Sequence, residues 1–526
     1  MKVREIDVRR WRWSALAFAS GALFAMDAPP TNFVPALWLG MIGLAIALAQ
    51  PIEKRPLLTI ALRGELFGLA ANLLFFRFMP GVITRFTPLP SLVALLALFV
   101  LAAAQGLRWC VTCVLYKLLI ARNAPKWGAF PIGVYAGTFV PMVFPWSPAS
   151  GASPWPALVQ LADVIGERGV TGIMALTAAL LAEAWLSKAE KKRAMKFGVV
   201  ALMIPIATTA IGAIRIHEID ALRNASPTAT IGLVQPSIGA TMRWDPAAAT
   251  HILDELEALT RSAERKGAEL TVWHEAAYPY VLPHATRQGP RGRGAILGPG
   301  VHGPILTGII LKKSANDSTN SAILVQADDT YSEPYDKMHL LWFGEVVPLA
   351  DIFPVLRRVF VRGTGLVPGD HQVLFSTGKI RAAVLNCFED ILPSAGREAM
   401  TQNPNVLVDV TNDAWFAPSI ESELHMRMAV MRSVENRRDM VRAVNFGSTS
   451  WIDAVGRVRG RYADPIPGTL MTTPALIDAP LTFFARFGEW PTIVITAIFT
   501  AFACRRRKSK AEQRAGVEKA EQRAAV

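Results

Sequence analysis

Apolar runs of about the length that crosses a hydrocarbon core, ~20 residues of helix, recur through the first 220 residues. Seven are delimited: roughly Trp13–Met26, Phe33–Ala49, Leu57–Met79, Ser91–Leu119, Trp127–Pro145, Val170–Leu186 and Phe197–Ile214. The pattern then changes. From about Thr228 to Asp478 short strand-like runs alternate with amphipathic helices, and most of the Asp, Glu and His residues lie there. Ala229–Val234, Glu269–Trp273, Ile305–Leu311, Ser321–Gln326, Ile380–Cys387, Val406–Val410, Val441–Asn445 and Ser450–Val455 read as strands. Ala247–Lys266 and Glu423–Arg437 read as helices, with Glu398 on a shorter one. Such alternation builds a layered α/β domain. An eighth apolar run, about Phe484–Cys504, ends in Arg505, Arg506, Arg507 and Lys508. The pattern thus predicts a seven-helix membrane region (1–220), an aqueous domain (228–478), an eighth membrane helix (484–504) and a basic tail (505–526).

Charge position orients this arrangement. The chain of 526 residues is 52% hydrophobic and 18% charged, with 55 Lys and Arg against 42 Asp and Glu. In a soluble protein that excess would suggest nucleic acid. Here it is sorted by loop. Fifteen cationic residues lie in the N-terminal segment (Lys2, Arg4, Arg9, Arg10, Arg12), at Lys54 and Arg55, at Lys117, Arg122 and Lys126, and at Lys188, Lys191, Lys192, Arg193 and Lys196. The alternate loops, about 27–32, 80–90 and 146–167, hold Arg85 alone. Cationic loops stay cytoplasmic, so both termini are expected inside, with the large domain on the periplasmic side of a bacterial inner membrane. The surplus charge is then an orientation signal, which argues against a nucleic-acid role. No small-residue cleavage site precedes Asp27-Ala28-Pro29, so the first run reads as a retained helix rather than a signal peptide.

Four cysteines exclude a disulfide scaffold, and no Cys/His spacing of a structural zinc site occurs. Cys110 and Cys113 fall inside an apolar membrane run and read as packing residues. Cys387 is different. It is the sole cysteine of the aqueous domain, at the end of an apolar strand, followed by Phe388, Glu389 and Asp390. Buried lone cysteines are commonly small hydrophobes, yet a thiol at a strand end beside two carboxylates also suits a nucleophile. A nucleophile needs a base and a donor for the developing oxyanion. The domain's histidines sit in no protease-like context. Glu275 ends the strand Thr271-Val272-Trp273-His274, where partial desolvation raises a carboxylate toward the pKa of a useful base. Lys337, within Tyr335-Asp336-Lys337-Met338-His339, is either a solvated charge or a fixed ammonium.

Taken together, the strand ending in Glu275, the run through Lys337 and the Cys387-Phe388-Glu389-Asp390 turn resemble the Glu-Lys-Cys triad of the nitrilase superfamily. Trp342-Phe343-Gly344-Glu345-Val346-Val347-Pro348 is similar to that family's run with an auxiliary Glu. Thr411-Asn412-Asp413-Ala414-Trp415-Phe416 and the segment from Met428 to Arg438 resemble one branch, the apolipoprotein N-acyltransferases, as do Val234–Ile238 and Trp244-Asp245-Pro246. The resemblance implies about eight membrane helices with an αββα carbon–nitrogen hydrolase domain inserted before the last. It implies acyl transfer from a phospholipid, through a Cys387 thioester, to the N-terminal amine of a diacylated lipoprotein, with no cofactor and no metal, by a chain acting as a monomer in the bilayer. In that scheme Glu275 is the base, Lys337 stabilises the oxyanion, and Glu345 and Glu389 give catalytic support. Trp244, Trp342, Phe343, Phe388, Trp415 and Phe416 contact substrate. His274, Val346, Phe388 and the 417–425 stretch depart from the branch's pattern, which bears on donor and acceptor preference. Two other readings remain open: a membrane-tethered amidase using the same triad, and a non-catalytic lipid- or lipoprotein-binding homologue. Tyr278–Gly300 and Ile352–Phe360 are candidate lids or plain surface loops.

Overall fold

The computed structural model describes residues 8–52, 55–348, 350, 352–355 and 365–504. Lys2, Arg4, Lys54, most of the 352–360 segment and the 505–526 tail lie outside the described residues. The N-terminal half is helical: α1 (Val8–Phe24), α2 (Ala36–Leu48), α3 (Pro56–Phe75), α4 (Met79–Phe86), α5 (Ser91–Ala121), α6 (Lys126–Gly137), α7 (Ala162–Leu186) and α8 (Lys191–Ala225). Of the described helices, α3, α5, α7 and α8 are long and apolar enough to cross a membrane; α2 and a last helix, Trp490–Cys504, are shorter apolar helices. The expectation of eight spans is therefore met in part. The run read as Trp127–Pro145 stops being helical at Gly137, because Pro141 and Pro145 deny the chain the donors and backbone angles to continue. In the run read from Phe484, a break at Gly488 (φ +61°) separates a short helix from the last one.

The aqueous domain is four layers deep. Strands β1 (Ile231–Gln235), β2 (Leu270–Val272), β3 (Val281–Pro283), β4 (Ile305–Lys312), β5 (Ser318–Val325), β6 (Tyr335–Asp336), β7 (Leu374–Thr377), β8 (Ile380–Asn386), β9 (Val406–Thr411), β10 (Met440–Val444), β11 (Thr449–Ile452), β12 (Val458–Tyr462) and β13 (Gly468–Thr472) form two sheets. One runs β13-β1-β2-β4-β5-β6, with β3 also on β4; the other runs β12-β11-β10-β9-β8-β7. Their facing sides share one core, in which Ile231, Leu233, Val272 and Leu306 meet Val384, Val406, Val408 and Val441. Helix α9 (Ala249–Arg265) covers the first sheet through Ile252, Leu253 and Leu256. Helices α10 (Pro393–Ala399) and α11 (Glu421–Asn436) cover the second. The domain is thus an αββα sandwich.

The fourth layer joins the membrane half. Leu424, Met428, Met431 and Val434 of α11 belong to the same apolar cluster as Phe24, Phe67, Trp109, Val170 and Met174. Ion pairs stitch the seam. Arg432 Nη2 lies 2.7 Å from Glu167 Oε2, and its Nε 2.9 Å from Glu435 Oε2. Glu435 in turn accepts the Glu167 N–H at 2.8 Å. Arg437 donates to Asp163 at 3.0 Å and to Gln160 at 2.7 Å. Arg427 donates to the Asp27 carbonyl and to the Asn32 side chain. Helix α7 bends at Gly166 (φ +68°) to bring Asp163 and Glu167 there, and the Phe484 ring fills the space where a Cβ would stand.

Removing one member of a fully buried ion pair leaves a charge without water or partner, which costs about 3–5 kcal/mol. Arg432→Met should therefore lower the thermal unfolding transition of the detergent-solubilised protein sharply. Arg193→Met, which removes an exposed pair with Glu190, should leave it nearly unchanged. An unaltered transition in Arg432→Met would contradict this view of the seam.

Candidate functional site

Three strand ends converge between the sheets. Glu275 follows β2, and β4 passes so close that a Cβ at Gly308 would stand 2.7 Å from the Glu275 Cα and 2.5 Å from the His274 carbonyl oxygen. Glycine is required there. Lys337 follows β6, its N–H donating to the Asn320 carbonyl at 2.9 Å and its own carbonyl accepting from Gly369 at 2.9 Å. Cys387 follows β8 and opens the helical turn Cys387–Ile391 at φ +55°, a strained angle for a residue with a Cβ.

Glu389 fixes that turn. Its carboxylate accepts from the Tyr335 hydroxyl at 2.7 Å and from the backbone N–H groups of Met338 (2.7 Å), His339 (3.0 Å) and Asn386 (2.9 Å). One buried side chain thus ties the cysteine turn to the segment that carries the lysine.

Lys337 is 1% exposed, and its ammonium lies 3.3 Å from Glu275 Oε1 and 2.7 Å from Glu345 Oε2. The Asn320 amide spans the same two carboxylates at 2.7 and 2.6 Å, and its oxygen accepts from Asn386 at 3.3 Å. The structure thus brings together Glu275, Lys337, Glu345, Cys387 and Glu389.

Burial opposes the charge on Lys337, but Glu345 and Glu275 outweigh it and hold its pKa well above the ordinary ammonium value. Burial, aided by Glu345, pushes Glu275 up, against the pull of Lys337. The Cys387 thiol is pushed well up by burial and then by the Glu275 charge, only partly offset by Lys337; it also lies beside the Thr411 hydroxyl. At rest, therefore, the proton sits on sulfur, an acceptor carboxylate faces it, and a fixed cation stands beside both. That set suits proton removal coupled to attack on a carbonyl carbon.

His274 donates through Nδ1 to the Glu275 carbonyl at 2.8 Å, and burial lowers its pKa to about 3, so the ring is neutral.

The aromatic residues divide. Phe388, half-buried, packs on the cluster shared with the membrane helices. Trp415 meets Phe86 of α4 at 4.8 Å between ring centroids, while Phe416 meets Phe78 at 5.9 Å and Phe144 at 6.5 Å. Trp342 and Phe343 instead stand on an outlying turn, 51% and 45% exposed, near the exposed Ile352, Phe353 and Val355 in sequence. Trp244 ends a short helical turn, Met242–Trp244, and its side chain lies outside the described residues.

Sequence reasoning missed Asn320 and Arg243. Arg243 donates to the carbonyls of Ala276, of Tyr278 at 2.7 Å and of Pro279, pinning the backbone after Glu275. With β3 paired to β4, that anchoring makes the start of 278–300 part of the sheet scaffold. Asn320 is hidden in the polar start of β5, among Ser318, Thr319 and Ser321, and Arg243 left no signal either.

Residues 230–498 match the carbon–nitrogen hydrolase family, and residues 20–180 match the apolipoprotein N-acyltransferase N-terminal domain. The chain is similar to apolipoprotein N-acyltransferase of Geobacter metallireducens, at 28% identity over 96% of this chain and 98% of that one. It is similar to that of Shewanella oneidensis at 29%, over 97% and 99%. Among solved structures, an amidase of the nitrilase superfamily from Nesterenkonia AN1 superposes with a TM-score of 0.37 at 17% identity, over 50% of this chain and 94% of that one.

Charge at the oxyanion separates Lys337 from scaffolding. Lys337→Met keeps much of the stem volume, and loss of one preorganised donor of this kind costs ~10²–10³ in rate. Acylation of Cys387 by a p-nitrophenyl ester, followed as nitrophenolate release and referred to the folded fraction, should fall by that order. A rate within a few-fold of wild type would make Lys337 a structural cation.

Proposed function

The chain belongs to the carbon–nitrogen hydrolase family, and on that premise we propose that it carries out apolipoprotein N-acyl transfer. It moves a fatty acyl group from a phospholipid to the N-terminal amine of a diacylglyceryl-cysteine, in two half-reactions through a thioester. It is an acyltransferase of the membrane.

In the first half-reaction the Glu275 carboxylate takes the Cys387 thiol proton as sulfur attacks the donor ester carbonyl. The oxygen that becomes negative faces the Lys337 ammonium. The carbon–oxygen bond to the glycerol then breaks, the leaving alkoxide takes the proton from Glu275, and lysophospholipid departs. In the second, the acceptor amine attacks the thioester carbonyl and gives its proton to Glu275; Cys387 leaves as thiolate and recovers that proton, and the product is an amide. Glu345 keeps the ammonium aimed, and Glu389 keeps the nucleophile turn in place. Trp244, Trp342, Phe343, Phe388, Trp415 and Phe416 bind the acyl chains and keep water from the thioester.

The observation that carries this reading is the continuity of the apolar surface from Phe388 beside the nucleophile to the membrane helices. A lipid ester reaches such a thiol without drawing its chains through water. The division into a seven-helix region at 1–220, a catalytic domain at 228–478, an eighth helix at 484–504 and a cytoplasmic tail at 505–526 belongs to the same proposal. So does the periplasmic placement of the domain. The lightly charged loops support it: 27–32 meets the domain through Arg427, 80–90 through the Arg85 hydrogen bond to the Ala417 carbonyl and Phe86 on Trp415, and 146–167 through Gln160, Asp163 and Glu167.

Phospholipid alone should build an acyl adduct on Cys387, visible as a mass increase, removed by neutral hydroxylamine and lost in Cys387→Ala. A diacylated lipopeptide with a free N-terminal amine should discharge it into an amide, and its N-acetylated form should not. Steady release of fatty acid from phospholipid, with no adduct and no dependence on the amine, would identify a hydrolase instead.

A further inference from the structure

Behind the nucleophile turn lies a second buried charge cluster that the acyl-transfer scheme does not use. His425 of α11 is 5% exposed, and its two ring nitrogens meet different carboxylates. Nε2 is 2.7 Å from Asp390 Oδ1, and Nδ1 is 3.1 Å from Asp413 Oδ1. Asp390 belongs to the same turn as Cys387, whereas Asp413 opens the turn Asp413–Trp415 that carries Trp415. Ionised carboxylates accept and do not donate, so a ring held between two of them is protonated at both nitrogens. Burial acts against that charge, but Asp390 and Asp413 hold the His425 pKa well above its ordinary value.

The surrounding groups balance. Arg442 Nε lies 3.0 Å from both Asp390 Oδ2 and Asp409 Oδ2. Ser422 donates to Asp413 Oδ2 at 2.6 Å, and Glu421 Oε1 is 3.7 Å from His425 Nδ1. Burial and then the Asp413 charge raise Glu421 to about 8, while burial and then Asp390 raise Asp409 well above the carboxylate range. At neutral pH two cations, His425 and Arg442, therefore face the carboxylates of Asp390 and Asp413, with Glu421 mostly protonated and Asp409 pushed in the same direction. Asp413, Glu421 and His425 also have the proximity of metal ligands, within 4.8 Å, but the neighbouring guanidinium and the proton on Nδ1 oppose a second cation.

We propose that His425 is a positioning residue: its imidazolium straps the Cys387 turn to the loop bearing Trp415 and Phe416, so that the thiol keeps a fixed place beside Lys337 and the aromatic wall. This rests on Cys387 being the nucleophile. Arg442 alone does not supply the link, since among the described contacts it reaches Asp390 and Asp409 but makes no hydrogen bond to the 413–416 loop.

The strap holds only while the ring is charged, which gives it a signature that a packing role lacks. Asp413→Asn removes one of the two charges that sustain the imidazolium, and loss of one such partner lowers a pKa by roughly 1–3 units. The ring of the variant then loses its proton at a lower pH than in the wild type, and the strap is lost with it.

The test uses the full chain with Cys110, Cys113 and Cys504 replaced by Ala. Cys387 is labelled with iodoacetamide and, separately, acylated by phospholipid. The ratio of Asp413→Asn to wild-type rate should lie within a few-fold of unity near pH 6 and fall progressively as pH rises. A ratio constant with pH would overturn the proposal. Wild-type protein labelled with [15N]histidine, with His425 assigned by difference from His425→Gln, decides even if the Asp413 variant misfolds. Two protonated ring nitrogens at about pH 7.5 are expected, and a neutral ring or a stoichiometric bound metal would overturn the strap. A wild-type protein that alkylates but never takes an acyl group from phospholipid would instead remove the acyl-transfer reading and leave the alkylation ratio to judge His425.

Discussion

An ammonium group shut away from water is tolerable only where carboxylates surround it, and the rest of the site is arranged to satisfy that condition at Lys337. Glu275 and Glu345 reach it from separate segments, and Asn320 holds the two carboxylates apart while answering to both. The ends of β2 and β6 must then meet within hydrogen-bonding distance, which the strand order of the first sheet achieves. The end of β8 must arrive from the second sheet, which the shared core between the sheets achieves. Gly308 follows from the same demand, since any side chain there would push the Glu275 strand end away. The lysine charge therefore explains local glycine use, a buried asparagine and the meeting of two sheets at one point.

A second condition comes from the membrane. Helix α11 carries Arg427, Arg432, Glu435 and His425, all buried, which no helix of a soluble sandwich would expose to an apolar face without partners. The partners come from both sides. Glu167 and Asn32 belong to the helical half, and Asp390 and Asp413 to the catalytic half. Through α11 the position of the Cys387 turn is referred to the membrane helices, and the apolar cluster around Phe388 runs on into them without a break. An enzyme whose substrates are lipids gains from that continuity, because the reacting carbonyl meets the thiol while its chains stay in hydrocarbon.

Much of this was legible from local pattern. Glu275 and Cys387 each follow an apolar strand, where a polar side chain has no packing reason to be, and that contrast made them visible; Lys337, after Tyr335-Asp336, became visible only together with them. Glu345 and Glu389 were visible through the motifs around them. The strands β12 and β13 were not: β12 is short, polar and little buried, β13 alternates little, and β13 is held by a pairing with β1 more than two hundred residues away. Trp342 and Phe343 belonged, by sequence, to one aromatic wall with Trp415 and Phe416; the structure puts the first pair on an exposed turn and packs the second on α4 and its neighbours. His425 was seen only as one of the aqueous domain's seven histidines and as the end of the departing 417–425 stretch, since its meaning depends on Asp390 and Asp413, which approach it only in three dimensions. The shortness of α6 is a matter of Pro141 and Pro145, which act on backbone geometry that a search for apolar runs does not weigh.

The resting proton is the most direct point of attack. If burial and the Glu275 charge together outweigh Lys337, sulfur is protonated in the free enzyme and becomes nucleophilic only as Glu275 accepts its proton. The measurement is the pH dependence of Cys387 alkylation by iodoacetamide, read by mass in the full chain with the other three cysteines replaced. The rate should climb without a plateau through and beyond the ordinary thiol value of about 8.5. A plateau reached below about pH 7 would reveal a stable thiolate paired with Lys337, and would contradict the assignment of Glu275 as the base.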